Sequence, residues 1–397
     1  MLMKAQLGLL LFPVAHSLRV FAPSDFAIKR QIGQLGFATE TEWQYYGGKR
    51  NPLDPNMPTR TVEASGASVR LFDAELYGRR VLLKEYLGEA GDIGSNELSV
   101  YQHMHSQAAS ADEDLPPQIS SMLGHMRADE AFDSQAFRTQ WLLNLPQSTP
   151  PEPGNLWTVF AWEGLQTVAA FPRVKQQKTF FDWNGDAAVA ERKRYLKAVA
   201  KESLKGVAFL HGRGIVHRSL GGSSLLLNTY DHFSANSVSV KLTDFGFASV
   251  GSQMDQEEVA KALRMGAASP LQVMSFYALN DLHGLGYVFL ELFLSSLAFS
   301  SDGMLSIKPA GPGESGRGQS CELQALKRLV EDVFDDDVST GFREYCVAEP
   351  DWAEAVAVLD EKDRAGWALL QKLVDCHKPE AISRVTASDL LNSRWFS

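Results

Sequence analysis

The sequence predicts a bilobal α+β fold, a β-rich lobe followed by a larger helical one, and three observations predict it. Residues 69–86 read as two strands turning at Gly78. Glu191 to His211 places Leu196, Val199, Ala200, Leu204, Val207, Ala208 and Leu210 on one face at helical spacing. Asn280 to Ala298 is almost continuously apolar, which suits a helix buried on all sides. Strands first and helices afterwards make an α+β arrangement.

The remaining elements follow in order. Lys4 precedes the apolar run Leu7 to Val14, and Ala15-His16-Ser17 then gives a small-x-small pattern. Residues 1–20 therefore read as a short targeting segment. The run is well below the ~20 residues that cross a bilayer. A second reading makes Val20 to Ile28 simply the first strand of the domain. The folded domain is expected over residues 21–397, with the first lobe over about 21–165 and the second over about 166–397. Residues 47–66, rich in Gly, Pro and Asn, read as an inserted loop. Asn96 to Gln107 reads as a helix capped by Ser95 or Asn96. The proline-rich stretch 145–155 is a linker before the apolar strand 156–162. Residues 309–320 are a Gly/Pro/Ser-rich excursion, and Ala365 to Phe396 alternates helices with a turn at Lys378-Pro379.

Composition narrows the function classes. Net charge is −10, with no basic stripe, which argues against nucleic acid as the partner. Cys321, Cys346 and Cys376 are far apart and odd in number, so neither a disulfide framework nor a zinc spacing is present. That usage fits a reducing compartment.

The chemistry-bearing segment is Ile215-Val-His-Arg-Ser-Leu-Gly-Gly-Ser-Ser224, followed at 244–246 by Asp-Phe-Gly. It resembles the catalytic loop and metal-binding motif of protein kinases, H-R-D-L-x-x-x-N and D-F-G. The resemblance implies a kinase fold, a protein substrate or partner, and ATP with Mg²⁺ as cofactors. It assigns nucleotide contacts to Lys84, which closes the apolar strand Val81-Leu82-Leu83. Glu97, thirteen residues on in the next helix, pairs with that Lys. Gly33 matches a glycine-rich loop in which Leu35 and Ala38 replace two glycines, and Leu82 adds bulk where a small residue roofs the adenine. Asp244 is the expected metal ligand. His217 and Phe245 are expected in the core. Asp281 is expected to bind the catalytic-loop backbone.

Three positions depart from the pattern. Ser219 replaces the base Asp and carries no charge. Gly221 replaces the Lys that neutralises the transferring phosphoryl group. Ser224 replaces the second metal ligand, Asn, and offers one weaker oxygen. Ser269-Pro270-Leu271 lacks the Glu of A-P-E, while its usual partner is present as Arg384. The expectation is a pseudokinase acting as a regulatory or scaffolding partner. The alternatives are an active Ser/Thr protein kinase with displaced catalytic groups and an interaction module that binds no nucleotide. Ser249 and Ser252 are candidate phosphosites, although a solvated-loop role explains them as well.

A narrower resemblance rests on Phe160-Ala-Trp-Glu-Gly164, Ala365-Gly-Trp-Ala-Leu-Leu370, Ile382-Ser-Arg384 and the opening Ser24-Asp25-Phe26. These look like the plastid kinase group, which includes thylakoid state-transition kinases and the kinase-like domain of a plastid-lipid-associated (fibrillin) protein. Phe21-Ala22-Pro23 resembles the start of transit peptides for complex plastids. The group implies a plastid location with peripheral thylakoid association; the expected lack of a transmembrane span before the kinase domain is a departure from the group, and a cytoplasmic location is the alternative.

Overall fold

Alternation and turn chemistry build the sheet in the computed structural model, which describes residues 18–41, 61–128, 132, 134–171, 185–264, 266–297, 323, 326–378 and 385–397. The strands are β1 (Arg19–Val20), β2 (Phe26–Thr41), β3 (Thr61–Leu76), β4 (Arg79–Leu87), β5 (Met122–Arg127) and β6 (Leu156–Ala161). They form one sheet in the order β1-β5-β6-β4-β3-β2. The predicted turn joins β3 to β4, with Tyr77 (φ 50°) and Gly78 (φ 77°) both left-handed. That is the twist a two-residue hairpin requires. Strand β3 begins at Thr61, so the last six residues of the expected 47–66 loop are strand instead. Residues 47–60 of that loop lie outside the described residues.

The chain divides into two units. The first draws on Met1–Leu35, Ala67–Leu115 and Ser121–Ala161. Its helix α1 spans Ala90–Ser110, six residues earlier than the spacing predicts, and Ser95 bonds Gly91 O within the helix rather than capping it. A second helix, α2 (Gln135–Asn144), was not anticipated; Ser134 caps it. Trp141 from α2 packs edge-on to Phe72, which stacks on Trp157, in a core that also takes Val81 and Leu83. Gly124 admits β1 beside β5, because a Cβ there would lie 2.0 Å from Arg19 O.

The second unit holds Gly36–Gly66, Pro116–Ser120 and Trp162–Ser397. Short strands β7 (Gln166–Thr167), β9 (Leu225–Leu227) and β10 (Val240–Leu242) form one sheet, and β8 (Ile215–Val216) pairs with β11 (Ser249–Val250). The helices are α3 (Gly185–Gly212), α4 (Gln256–Arg264), α5 (Val273–Ser296), α6 (Arg343–Ala348), α7 (Ala353–Val374) and α8 (Ala387–Leu391). Both helices read from periodicity are present, each longer at its N-terminus than predicted. Helix α5 buries residues on every face, as its composition requires. Helix α7 changes direction at Lys362 to Arg364, three successive left-handed residues. The 309–320 excursion and Pro379 lie outside the described residues. Among the described residues no helix is long and apolar enough to cross a membrane.

Candidate functional site

In the first unit, alternation along β4 places Leu82, Lys84 and Tyr86 on one face and Val81, Leu83 and Glu85 on the other. Lys84 Nζ lies 3.0 Å from Glu97 Oε1 and 3.3 Å from Oε2, with both side chains buried. The ammonium also sits 4.6 Å from the centre of the Phe160 ring. Phe160 is the strand partner of Leu82, so two bulky apolar side chains flank the Lys84 position. Glu97 has a partner that the motif alone does not predict: Tyr86 donates its hydroxyl to Oε2. Gly94 makes room for that ring, since a Cβ there would meet it at 2.6 Å. The sequence did carry the signal, because Tyr86 is two residues beyond Lys84 and Gly94 three before Glu97. A buried carboxylate with cationic and hydroxyl partners avoids the large cost of an unpaired buried charge.

Gly33 lies within β2, not in a turn. A Cβ there would meet Leu71 Cδ1 at 3.6 Å, an ordinary contact, so the surroundings do not require glycine. The expected glycine-rich loop is extended backbone over Ile32–Leu35.

In the second unit, Asp281 organises the segment that carries the motif. Its Oδ2 accepts from His217 N and its Oδ1 from Arg218 N, both at 2.7 Å, and His211 Nε2 lies 3.1 Å from Oδ2. Two consecutive backbone N–H groups aimed at one carboxylate hold Arg218 in a left-handed conformation, φ 65°. His217 and Phe245 are buried with ring centres 5.1 Å apart, and His217 Nε2 lies 2.9 Å from Thr243 O.

Ser219 is exposed. Ser224 is buried, and its hydroxyl donates to Ser219 O at 3.1 Å. Thr243 N donates to Ser224 O at 3.0 Å. The Ser224 proton is therefore spent on closing the loop, although its oxygen keeps lone pairs. Asp244 takes a left-handed conformation (φ 65°, ψ 54°) just before the helical turn Phe245–Phe247. One carboxylate and one neutral hydroxyl oxygen suit a single hard cation better than two.

The Arg218 side chain reaches the segment after Asp244. Its Nη1 lies 2.6 Å from both Ser249 Oγ and Glu258 Oε1, and its guanidinium lies over the Tyr277 ring at 4.6 Å. Ser249 is buried and donates to Glu258 at 2.9 Å, so the solvated-loop reading fails for it; Ser252 is exposed. Sequence reading missed Glu258, forty residues beyond Arg218, for which no local pattern exists. Ser269-Pro270-Leu271 enters a short helical turn with Leu271 almost fully exposed. Arg384 lies outside the described residues.

Comparison with known proteins gives a match to the family model described as protein kinase domain over residues 173–396, more than half of the chain. The Ser/Thr protein kinase STE20 of Debaryomyces hansenii is 42% identical over 50 residues, 13% of this chain and 4% of the relative. The STE20 kinase of Candida glabrata is 33% identical over 69 residues, 17% of this chain and 6% of the relative. The probable Ser/Thr protein kinase pknA2 of Bifidobacterium longum is 29% identical over 112 residues, 28% of this chain and 14% of that protein. The matched segments are thus a small part of each relative's length.

Proposed function

The chain belongs to the protein kinase family, and on that premise we propose that it is a pseudokinase that binds ATP with one Mg²⁺ ion and regulates or scaffolds another protein. The observation that carries this reading is the loop Ser219–Ser224. The base position holds an exposed neutral hydroxyl, and the second metal position spends its proton on a backbone carbonyl. Loss of a general base costs typically 10²–10⁴-fold in rate, and loss of charge neutralisation at Gly221 adds to it. In this reading Lys84, held by Glu97, would take nucleotide phosphate, and Asp244 would hold one Mg²⁺ ion, whose charge would offset that of the phosphates.

The alternative, an active Ser/Thr protein kinase, draws support from the same structure. The Lys84–Glu97 pair is formed and Phe245 is packed on His217. Positioning and electrostatics dominate phosphoryl transfer. Thermal unfolding with ATP, with and without Mg²⁺, tests the binding half of the proposal. The expected result is a stabilisation that needs Mg²⁺ and disappears in Lys84→Met. No shift under any condition would leave only the bare interaction module.

We also propose plastid import with peripheral thylakoid association, on the strength of the N-terminal pattern and the short motifs shared with the plastid kinase group. Residues 1–24 fused to a fluorescent protein should enter plastids; a cytosolic fusion would end that reading.

A further inference from the structure

The segment after Asp244 runs over the surface from β11 through α4 to Val273, and such segments order only when fixed contacts offset their conformational entropy. Here the contacts come from the chain itself. Ser249 and Val250 pair with Val216 and Ile215. Ala262 is buried with Val216, Val273 and Tyr277, and Val259 and Met254 pack against that cluster. Gly251 lies close under Met274, where a Cβ would sit 3.0 Å from the side chain. Among the described residues a charged clamp joins Arg218 to Glu258 and is shared with the Ser249 hydroxyl.

We propose that Glu258 is a built-in latch, a carboxylate that fixes residues 249–264 against Arg218 so that the segment is ordered without phosphorylation. Segments of this kind are elsewhere ordered by an added phosphate that pairs with arginine. In this chain the arginine already has a carboxylate partner. Three features make the latch firm. The Arg218 backbone is fixed by Asp281, its guanidinium has an aromatic face beneath it, and the receiving carboxylate is also bonded by Ser249. The inference concerns segment order alone and stands whether or not the chain transfers phosphate.

The test is hydrogen exchange of the full chain after treatment with a broad-specificity phosphatase, with loss of phosphate checked by intact mass. Phosphate-free protein should protect amides in 249–264. Glu258→Gln should speed their exchange by about fivefold, the scale of a partly exposed charge pair, while α5 stays protected. Arg218→Gln should do the same, and the double variant should add little beyond either single one. Free exchange of 249–264 in phosphate-free wild type would overturn the proposal. So would an unchanged rate in Glu258→Gln, or full additivity in the double variant.

Discussion

Asp281→Ala is the perturbation that most directly probes how the second unit holds its motif segment. The carboxylate is buried and accepts two backbone N–H bonds, from His217 and Arg218, at 2.7 Å each. A hydrogen bond to a charged group is worth about 1.5–3 kcal/mol, and a buried donor left without a partner costs a similar amount. Two such bonds give roughly 3–6 kcal/mol, and loop relaxation brings the expected loss to about 4 kcal/mol. Asp281→Asn keeps one acceptor oxygen and turns an N–H₂ toward the other donor, so it should cost about half as much. Urea unfolding followed by far-ultraviolet circular dichroism reads the loss, because the long helices α3, α5 and α7 supply most of the helical signal of this unit. Equal effects of both variants, or losses below about 1 kcal/mol, would refute the assignment of Asp281 as the anchor.

Other consequences are measurable. Burial pushes the Cys346 and Cys376 thiols up to about 12, so neither should react with iodoacetamide at pH 8 in native protein, and both should react in urea when sites are read by mass spectrometry. Burial, helped by the Lys327 charge, holds the His283 imidazole down to about 4. The folded state therefore resists protonation that the unfolded chain accepts near pH 6.5. Stability should fall by about 3 kcal/mol as pH drops from 6.5 to 4 through this group, and His283→Gln should flatten that part of the profile. The opposite sign applies to His377, which the Asp336 carboxylate raises. Its contribution is complete below pH ~6.5 and is lost as pH rises through the folded value, so Asp336→Asn should remove that alkaline-side decline. Gly94→Ala drives a methyl into the Tyr86 ring, and its expected cost of about 1–3 kcal/mol in thermal or urea unfolding should be largely relieved by Tyr86→Ala in the same chain.

Legibility in the sequence followed the range of the interaction. Helices α3 and α5 and the hairpin at Gly78 were readable because period and turn chemistry are local. The packing of His217, Phe245 and Asp281 was readable because the motif fixes their order. Helix α1 starts six residues before Asn96 because Ser95 bonds Gly91 O inside the helix instead of capping it, and Gly94 is there to admit the Tyr86 ring. Helix α2 escaped notice because it is short and its burial rests mainly on Trp141. Strand β1 depends on the missing side chain of Gly124, about a hundred residues away, and a two-residue strand has no period of its own. At the candidate site, residue types at 219 and 224 were plain, but the direction of the Ser224 hydroxyl and the partnership of Arg218 with Glu258 are tertiary facts. At Gly33 the motif named a position where the surrounding protein atoms leave room for a side chain.

The central claim is that the motif segment is retained while its chemistry is lost. Single-turnover transfer of ³²P from ATP, to the chain itself and to a generic protein substrate, tests it most directly, with Lys84→Met as the background. The account predicts wild-type transfer no greater than that background. Transfer that Lys84→Met abolishes would contradict it and establish the chain as a working kinase.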